Sequence, residues 1–226
     1  MSTWKKRPVT LIIADAGPLI SLAAIDRMEL LQTFGQPVLV CDVVKEECFA
    51  KPGRLGEQRL RAWFETDGKN QYHLINTPYL DAYRIALKKQ MSGEDRVATA
   101  GHGDATISWL LKNLFRFRGK EEIALLLTED SEFGDSEPLM LSRRAHVIST
   151  RFWLNTLERL GIIPSAKNII GEIANAGRVV AKYNAARPAI IDKGTRSDWE
   201  DRALAVKPRD DEDGSGGGAG GGPGRP

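Results

Sequence analysis

The chain has 226 residues, enough for one domain of ordinary size with extensions, and its 42% hydrophobic and 27% charged residues exclude a chain disordered throughout. Its 32 basic and 30 acidic residues leave a formal charge of +2, which excludes a uniformly basic nucleic-acid-binding surface, so any such surface must be local. Cys41 and Cys48 lack zinc-knuckle or redox spacing and read as reduced, buried thiols of a cytoplasmic protein.

The N-terminal stretch MSTWKKRPVTLIIADAGP has the basic-then-apolar order of an export signal, but its apolar run, Val9 to Ala14, ends at Asp15 at strand length. No run of about 18 apolar residues is present to span a membrane, and no membrane association is expected. VTLIIA (9–14) is the first predicted strand. Asp15 then stands before Gly17, Pro18 and a second apolar stretch. Either it caps the helix that follows, or it lies at the carboxyl end of a strand, where parallel α/β folds bind ligands.

PVLV (37–40) is the second strand, followed by CDVVKEEC, with Glu46 and Glu47 in the first turns of a helix. YHLIN (72–76) is the third. The segment KKQMSGEDRVATAGHG reads as an exposed loop, and GDATISWLLKNLFRF as a helix with Asp104 at its start and Ile107, Leu110, Leu111 and Leu114 in one apolar stripe. IALLLT (123–128) is the fourth strand, followed by Glu129, Asp130, Glu132 and Asp135. AHVIS (145–149) is the fifth, and STRFWLNTLERLGIIPSAKN reads as a helix capped by Ser149 or Thr150 and ended by Gly161 and Pro164. A further helical stretch is expected at roughly 165–185. Residues 192–226, charged and then glycine-rich, have too little apolar content to order themselves and are expected to be a disordered tail. The expected organisation is a domain over 1–163, a helical extension over 164–191 and a tail over 192–226.

Strands alternating with helical segments predict βαβ units and a parallel sheet. In such a sheet the strand ends and helix starts share one rim. Asp15, Glu46 or Glu47, Asp104 and Asp130 therefore come from distant segments to one edge. Carboxylates gathered in this way repel, and a hard cation such as Mg²⁺ or Mn²⁺ relieves them. Such an ion also binds phosphate oxygens and orients water, which makes phosphodiester hydrolysis the candidate chemistry.

Taken in order, IIADAGPLISLA, VVKEEC, GHGDATISWLL, LLLTEDSEF and RRAHVISTRFWLNTLERLGII resemble a PIN domain, particularly the bacterial and archaeal nucleases that include VapC-type toxins. The resemblance spans about residues 9–163. It implies a three-layer α/β/α fold with a five-stranded parallel sheet, an acidic Mg²⁺ or Mn²⁺ site and endoribonuclease activity. It also implies an RNA substrate, an antitoxin protein as partner and a homodimer. By the same resemblance the site acids are Asp15, Glu47 (Glu46 is the competitor), Asp104 and Asp130, with Asp135 as an auxiliary acid. Gly17 stands where many members carry serine or threonine, and Thr128 either orients a carboxylate or simply ends a strand.

Other residues read as structural. His102 is a loop histidine beside a site that prefers oxygen ligands. His73 and His146 lie in strands, and Trp63, Trp109 and Trp153 lie in apolar helical patterns. Arg116, Arg118 and Lys120 fall at the far end of their helix, whereas Lys51, Arg54, Arg143, Arg144 and Arg151 are better placed to meet phosphates. Aspartyl-phosphate chemistry fits poorly, because Gly17 replaces the second aspartate of one such family and no lysine follows the last strand as another requires. The non-enzymatic alternative is an inactive PIN-like scaffold that binds RNA or a protein.

Overall fold

The structure is a computed structural model that describes residues 9–13, 15–33, 37–67, 71–117, 123–129, 145–178 and 180. Strands β1 (Val9–Ile13), β2 (Val38–Cys41), β3 (Tyr72–Ile75), β4 (Ile123–Thr128) and β5 (Ala145–Ser149) form one parallel sheet in the order β3-β2-β1-β4-β5. Helices flank it in a three-layer α/β/α arrangement. All five strands coincide with the apolar runs read from the sequence. The reason is burial on both faces: Ile12, Ile13, Leu39, Val40 and Leu125 to Leu127 are all enclosed, so the central strands carry continuous apolar runs instead of alternating ones. At the edge, β3 exposes His73 and Leu74.

The strand order sets one boundary in the sheet apart from the others. The chain builds outward from β1 through β2 to β3, then crosses to β4 on the opposite side of β1. The β1/β4 boundary is therefore the topological switch point, and ligands of open parallel sheets bind beyond the carboxyl ends of strands at such a boundary.

The helices are α1 (Ala16–Ala24), α2 (Asp42–Phe49), α3 (Glu57–Ala62, continuing into a π turn at Trp63–Asp67), α4 (Leu80–Ser92), α5 (His102–Phe117), α6 (Thr150–Arg159) and α7 (Ala166–Asn175), with a 3₁₀ turn at Met28–Gln32. Residues Pro18 to Ala23 of α1 are all buried, so this helix is enclosed by its neighbours; it packs against α2, α3, α7 and β4. In α5, Ile107, Leu110 and Leu111 face the core, as the stripe predicted. Trp63 and Trp153 are buried and Trp109 packs against the core, so all three serve packing. Cys41 and Cys48 are free, buried thiols.

Three boundaries are fixed by the structure. First, α2 begins at Asp42, directly after β2, so Glu46 and Glu47 lie in its second turn, within the first turns where the sequence reading put them. The Asp42 carboxylate accepts from Val43 N at 2.8 Å and, across to the connection after β3, from Thr77 N and Thr77 Oγ1, both at 2.7 Å. Second, α4 continues through Ser92, so the predicted loop shrinks to residues 93–101, of which 93–97 are exposed. Third, α7 ends at Asn175, well short of 185. Gly177, at φ +75°, donates to Ala174 O at 3.0 Å while Arg178 N donates to Ile173 O at 3.1 Å. This is a Schellman ending, which glycine permits because it has no Cβ to clash in the left-handed region.

Ala166, Ile169 and Ile173 of α7 belong to the same apolar core as the sheet. Among the described residues no helix is long and apolar enough to cross a membrane. The tail expected over 192–226 lies outside the described residues, as do Asp130, Glu132, Asp135, Arg118, Lys120, Arg143 and Arg144.

Candidate acidic site at the strand switch point

Asp15 meets both expectations set for it. Its backbone is extended (φ −145°, ψ 171°) and it is the N-cap of α1, with Oδ1 accepting from Gly17 N at 2.5 Å. A cap needs no more than that. Its second oxygen, Oδ2, also accepts from Glu129 N at 2.6 Å and from the Thr128 hydroxyl, both at the end of neighbouring β4. Donors from two elements thus hold one carboxylate at the switch point. Thr128 is the carboxylate-orienting hydroxyl, in the place where Gly17 offers none.

Gly17 is required by close approach. A Cβ there would lie 2.6 Å from Asp15 Oδ1, 2.7 Å from Glu129 Oε2 and 2.9 Å from Glu129 Cβ. A serine or threonine at this position has no room, because Glu129 fills that space.

Glu47 approaches the rim from α2. A Cβ on Gly103 would stand 3.4 Å from Glu47 Oε1, so this carboxylate is directed at the first turn of α5, one residue before Asp104. Burial pushes the Cys48 thiol well up, and the negative fields of Glu47 and Asp15 push it further, so both carboxylates act on one sulfur. The Cys41 thiol is pushed up to about 12 by burial, with Asp42 and Glu47 adding to it. Both thiols are held protonated, which makes them poor nucleophiles. Glu46 faces elsewhere: its Oε1 accepts from Arg84 of α4, at 2.5 Å from Nη2 and 3.2 Å from Nε.

Asp104 is the third residue of α5, at a helix start that favours negative charge; its side chain lies outside the described part of the structure. The His102 ring packs edge-on against Tyr83 at 6.0 Å. Burial raises the Tyr83 phenol, as do the charges of Glu47 and Glu46, while Arg54 opposes them. Arg54 itself lines a surface pocket with Ala23, Asp26 and Gly56, beside the C-terminal end of α1.

No family model, curated protein or solved structure matches the chain. The geometry stands alone.

Two further partners complete the site: Glu129, read from the sequence as one of the acids after the fourth strand, and Arg178, which was not singled out. Glu129, directly after β4, has a side chain only 9% exposed; it is paired with Arg178 Nη2 at 3.2 Å and accepts from Thr150 Oγ1 at 3.4 Å. Burial raises its carboxyl, the hydrogen bond from Ser21 lowers it, the Asp15 charge raises it and Arg178 lowers it. Glu129 was visible in LLTEDSEFGD, but Arg178, in a helical extension beyond the resemblance, carried no signal in the sequence.

Among the described residues, no three His, Cys, Asp or Glu side chains are grouped closely enough to hold a metal ion. The donor chemistry nevertheless suits a hard cation. Asp15 and Glu47 offer carboxylate oxygens, Gly103 leaves room beside Glu47, and a guanidinium already stands beside Glu129 as a cation.

Proposed function

We propose that the protein is a Mg²⁺- or Mn²⁺-dependent endoribonuclease of PIN type that acts in the cytoplasm as the toxin of a toxin–antitoxin pair and forms a homodimer. The observation that carries this reading is the fixed carboxylate of Asp15 at the β1/β4 switch point, with Glu47 directed at the start of α5. Oxygen-rich sites of this kind take Mg²⁺ or Mn²⁺.

In this reading Asp15, Glu47 and Asp104 hold the ion, and Asp130 and Asp135 are assigned from their order in the chain. Bound there, a divalent ion supplies Lewis-acid charge for the phosphodiester and ionises water near neutral pH. The protein's own part is positional. Gly17 N, Thr128 Oγ1 and Glu129 N keep Asp15 in one orientation, so little reorganisation is needed when charge develops at the phosphate. The start of α5 contributes its positive dipole end to the same rim. The buried thiols take no part, because they stay protonated.

The test is cleavage of a mixed pool of structured RNAs by the full chain, with and without Mg²⁺ or Mn²⁺, against Asp104→Asn. Metal-dependent cleavage lost in the variant is the expected result. Cleavage that survives both EDTA and the substitution overturns the reading, and absence of both cleavage and metal binding turns it toward the scaffold alternative.

A further inference from the structure

Arg178 reaches the acidic rim from the far end of the described chain. The Schellman turn after α7 fixes its backbone, through Gly177 N to Ala174 O and Arg178 N to Ile173 O. Val180, buried at 4% exposure, anchors the chain two residues later. Between these points the guanidinium is held on two sides: Nη2 donates to Glu129 Oε2 at 3.2 Å and Nε to Ser21 Oγ at 3.3 Å. Its side chain is 32% exposed, so this is a seated group with one edge toward solvent.

Its partner is what gives the contact meaning. Glu129 donates its N–H to Asp15, and the Asp15 and Glu129 carboxylates converge on the space that Gly17 leaves empty. Two anions gathered at a largely enclosed place create a potential that favours a cation. Here the chain supplies that cation itself. Among the described residues, Asp15, Ser21, Thr150 and Arg178 face Glu129, and the arginine carries the only positive charge among these four.

We infer that Arg178 is a resident cation of the acidic rim, seated on Glu129, that antagonises divalent-cation binding at Asp15. This inference rests on the proposed metal site. It assigns the Glu129 side of the rim to the guanidinium and the Asp15 and Glu47 side to the exchangeable ion. Divalent affinity is then set partly by the turn that follows α7, a segment with no acidic ligand of its own.

The experiment is Mn²⁺ titration without RNA, read by calorimetry and by the electron paramagnetic resonance signal of free Mn²⁺. It compares wild type, Arg178→Gln, Arg178→Lys, Glu129→Gln and the double variant, each first checked by thermal melting. Arg178→Gln is expected to bind Mn²⁺ roughly three- to tenfold more tightly, Glu129→Gln more weakly, and Arg178→Lys close to wild type. The double variant, which leaves no buried carboxylate unpaired, is expected to bind more tightly than Glu129→Gln alone, so the effect is measurable even if Arg178→Gln folds poorly. A purely structural role for Arg178 predicts the opposite sign, since loosening the rim weakens binding. Mn²⁺ bound equally or less tightly when Arg178 is removed, in both backgrounds, overturns the inference and leaves the metal site standing. No Mn²⁺ uptake by any of the five proteins overturns both.

Discussion

The backbone N–H of Glu129 donates to Asp15 Oδ2 at 2.6 Å, tying together the carboxyl ends of the neighbouring strands β1 and β4. Asp15 Oδ1 meanwhile caps α1 through Gly17 N. One carboxylate thus serves the helix and the crevice at once, and a neutral replacement loses charge in both places. Asp15→Asn is expected to fold, since asparagine also caps helices, and to lose metal-dependent cleavage. Circular dichroism beside an RNA cleavage assay checks this; near-normal cleavage by the variant removes Asp15 from the site.

Thr128, 3% exposed at the end of β4, donates its hydroxyl to the same oxygen. Thr128→Val keeps the shape and deletes the donor. A buried hydrogen bond to a charged group contributes about 1.5–3 kcal/mol, and a loss of that order is expected in urea unfolding, with a matching fall in cleavage. In a double-mutant cycle with Asp15→Asn the two losses should be strongly non-additive.

Gly17→Ala inverts the usual helix rule. In an exposed helix interior the change stabilises by about 0.5–1 kcal/mol, but here the new methyl would sit 2.7 Å from Glu129 Oε2 and 2.9 Å from Glu129 Cβ. Overpacking of this kind costs about 1–3 kcal/mol. A lowered melting temperature is therefore expected, and Gly17→Ser should be no better. A stabilised Gly17→Ala variant would show that Glu129 does not occupy this space in solution.

The Glu129 carboxyl is raised above its ordinary value of 4.5, chiefly by burial. A raised folded-state value means that the native protein binds the proton more tightly than the unfolded chain. The associated stability is fully present below the unfolded value and is lost as pH rises through the folded one. In the metal-free protein, wild type should accordingly lose stability relative to Glu129→Gln as pH climbs from near 4.5. Paired urea titrations across that range measure the difference. A difference independent of pH would contradict the shift.

Asp42, 4% exposed, accepts three hydrogen bonds, two of them from Thr77. Asp42→Ala leaves those donors unsatisfied and is expected to destabilise by about 2–4 kcal/mol, on the scale of losing several bonds to a charged group. Because Asp42 lies on α2 with Glu47, weaker divalent binding should accompany the loss. Hydrogen exchange at Thr77 N would report the released connection directly.

By itself the sequence determined the elements and their common rim. Continuous apolar runs predict strands enclosed on both faces, the stripe of α5 predicts a helix on the sheet, and alternation of the two leaves parallel order as the economical arrangement. These are local or connectivity signals, carried by neighbours in the chain. Only the tertiary structure decided which groups meet. Thr128 could equally have been a plain strand end until β4 was laid beside β1, and Glu46 remained a competitor to Glu47 until α4 brought Arg84 to it. Glu129 and Arg178 are 49 positions apart, and nothing periodic links them. Their pairing depends on the strand order, on where Gly177 ends α7 and on the missing side chain of Gly17. Charge–charge energy falls with distance in space, and distance in space across a fold is not written in any local pattern of residues.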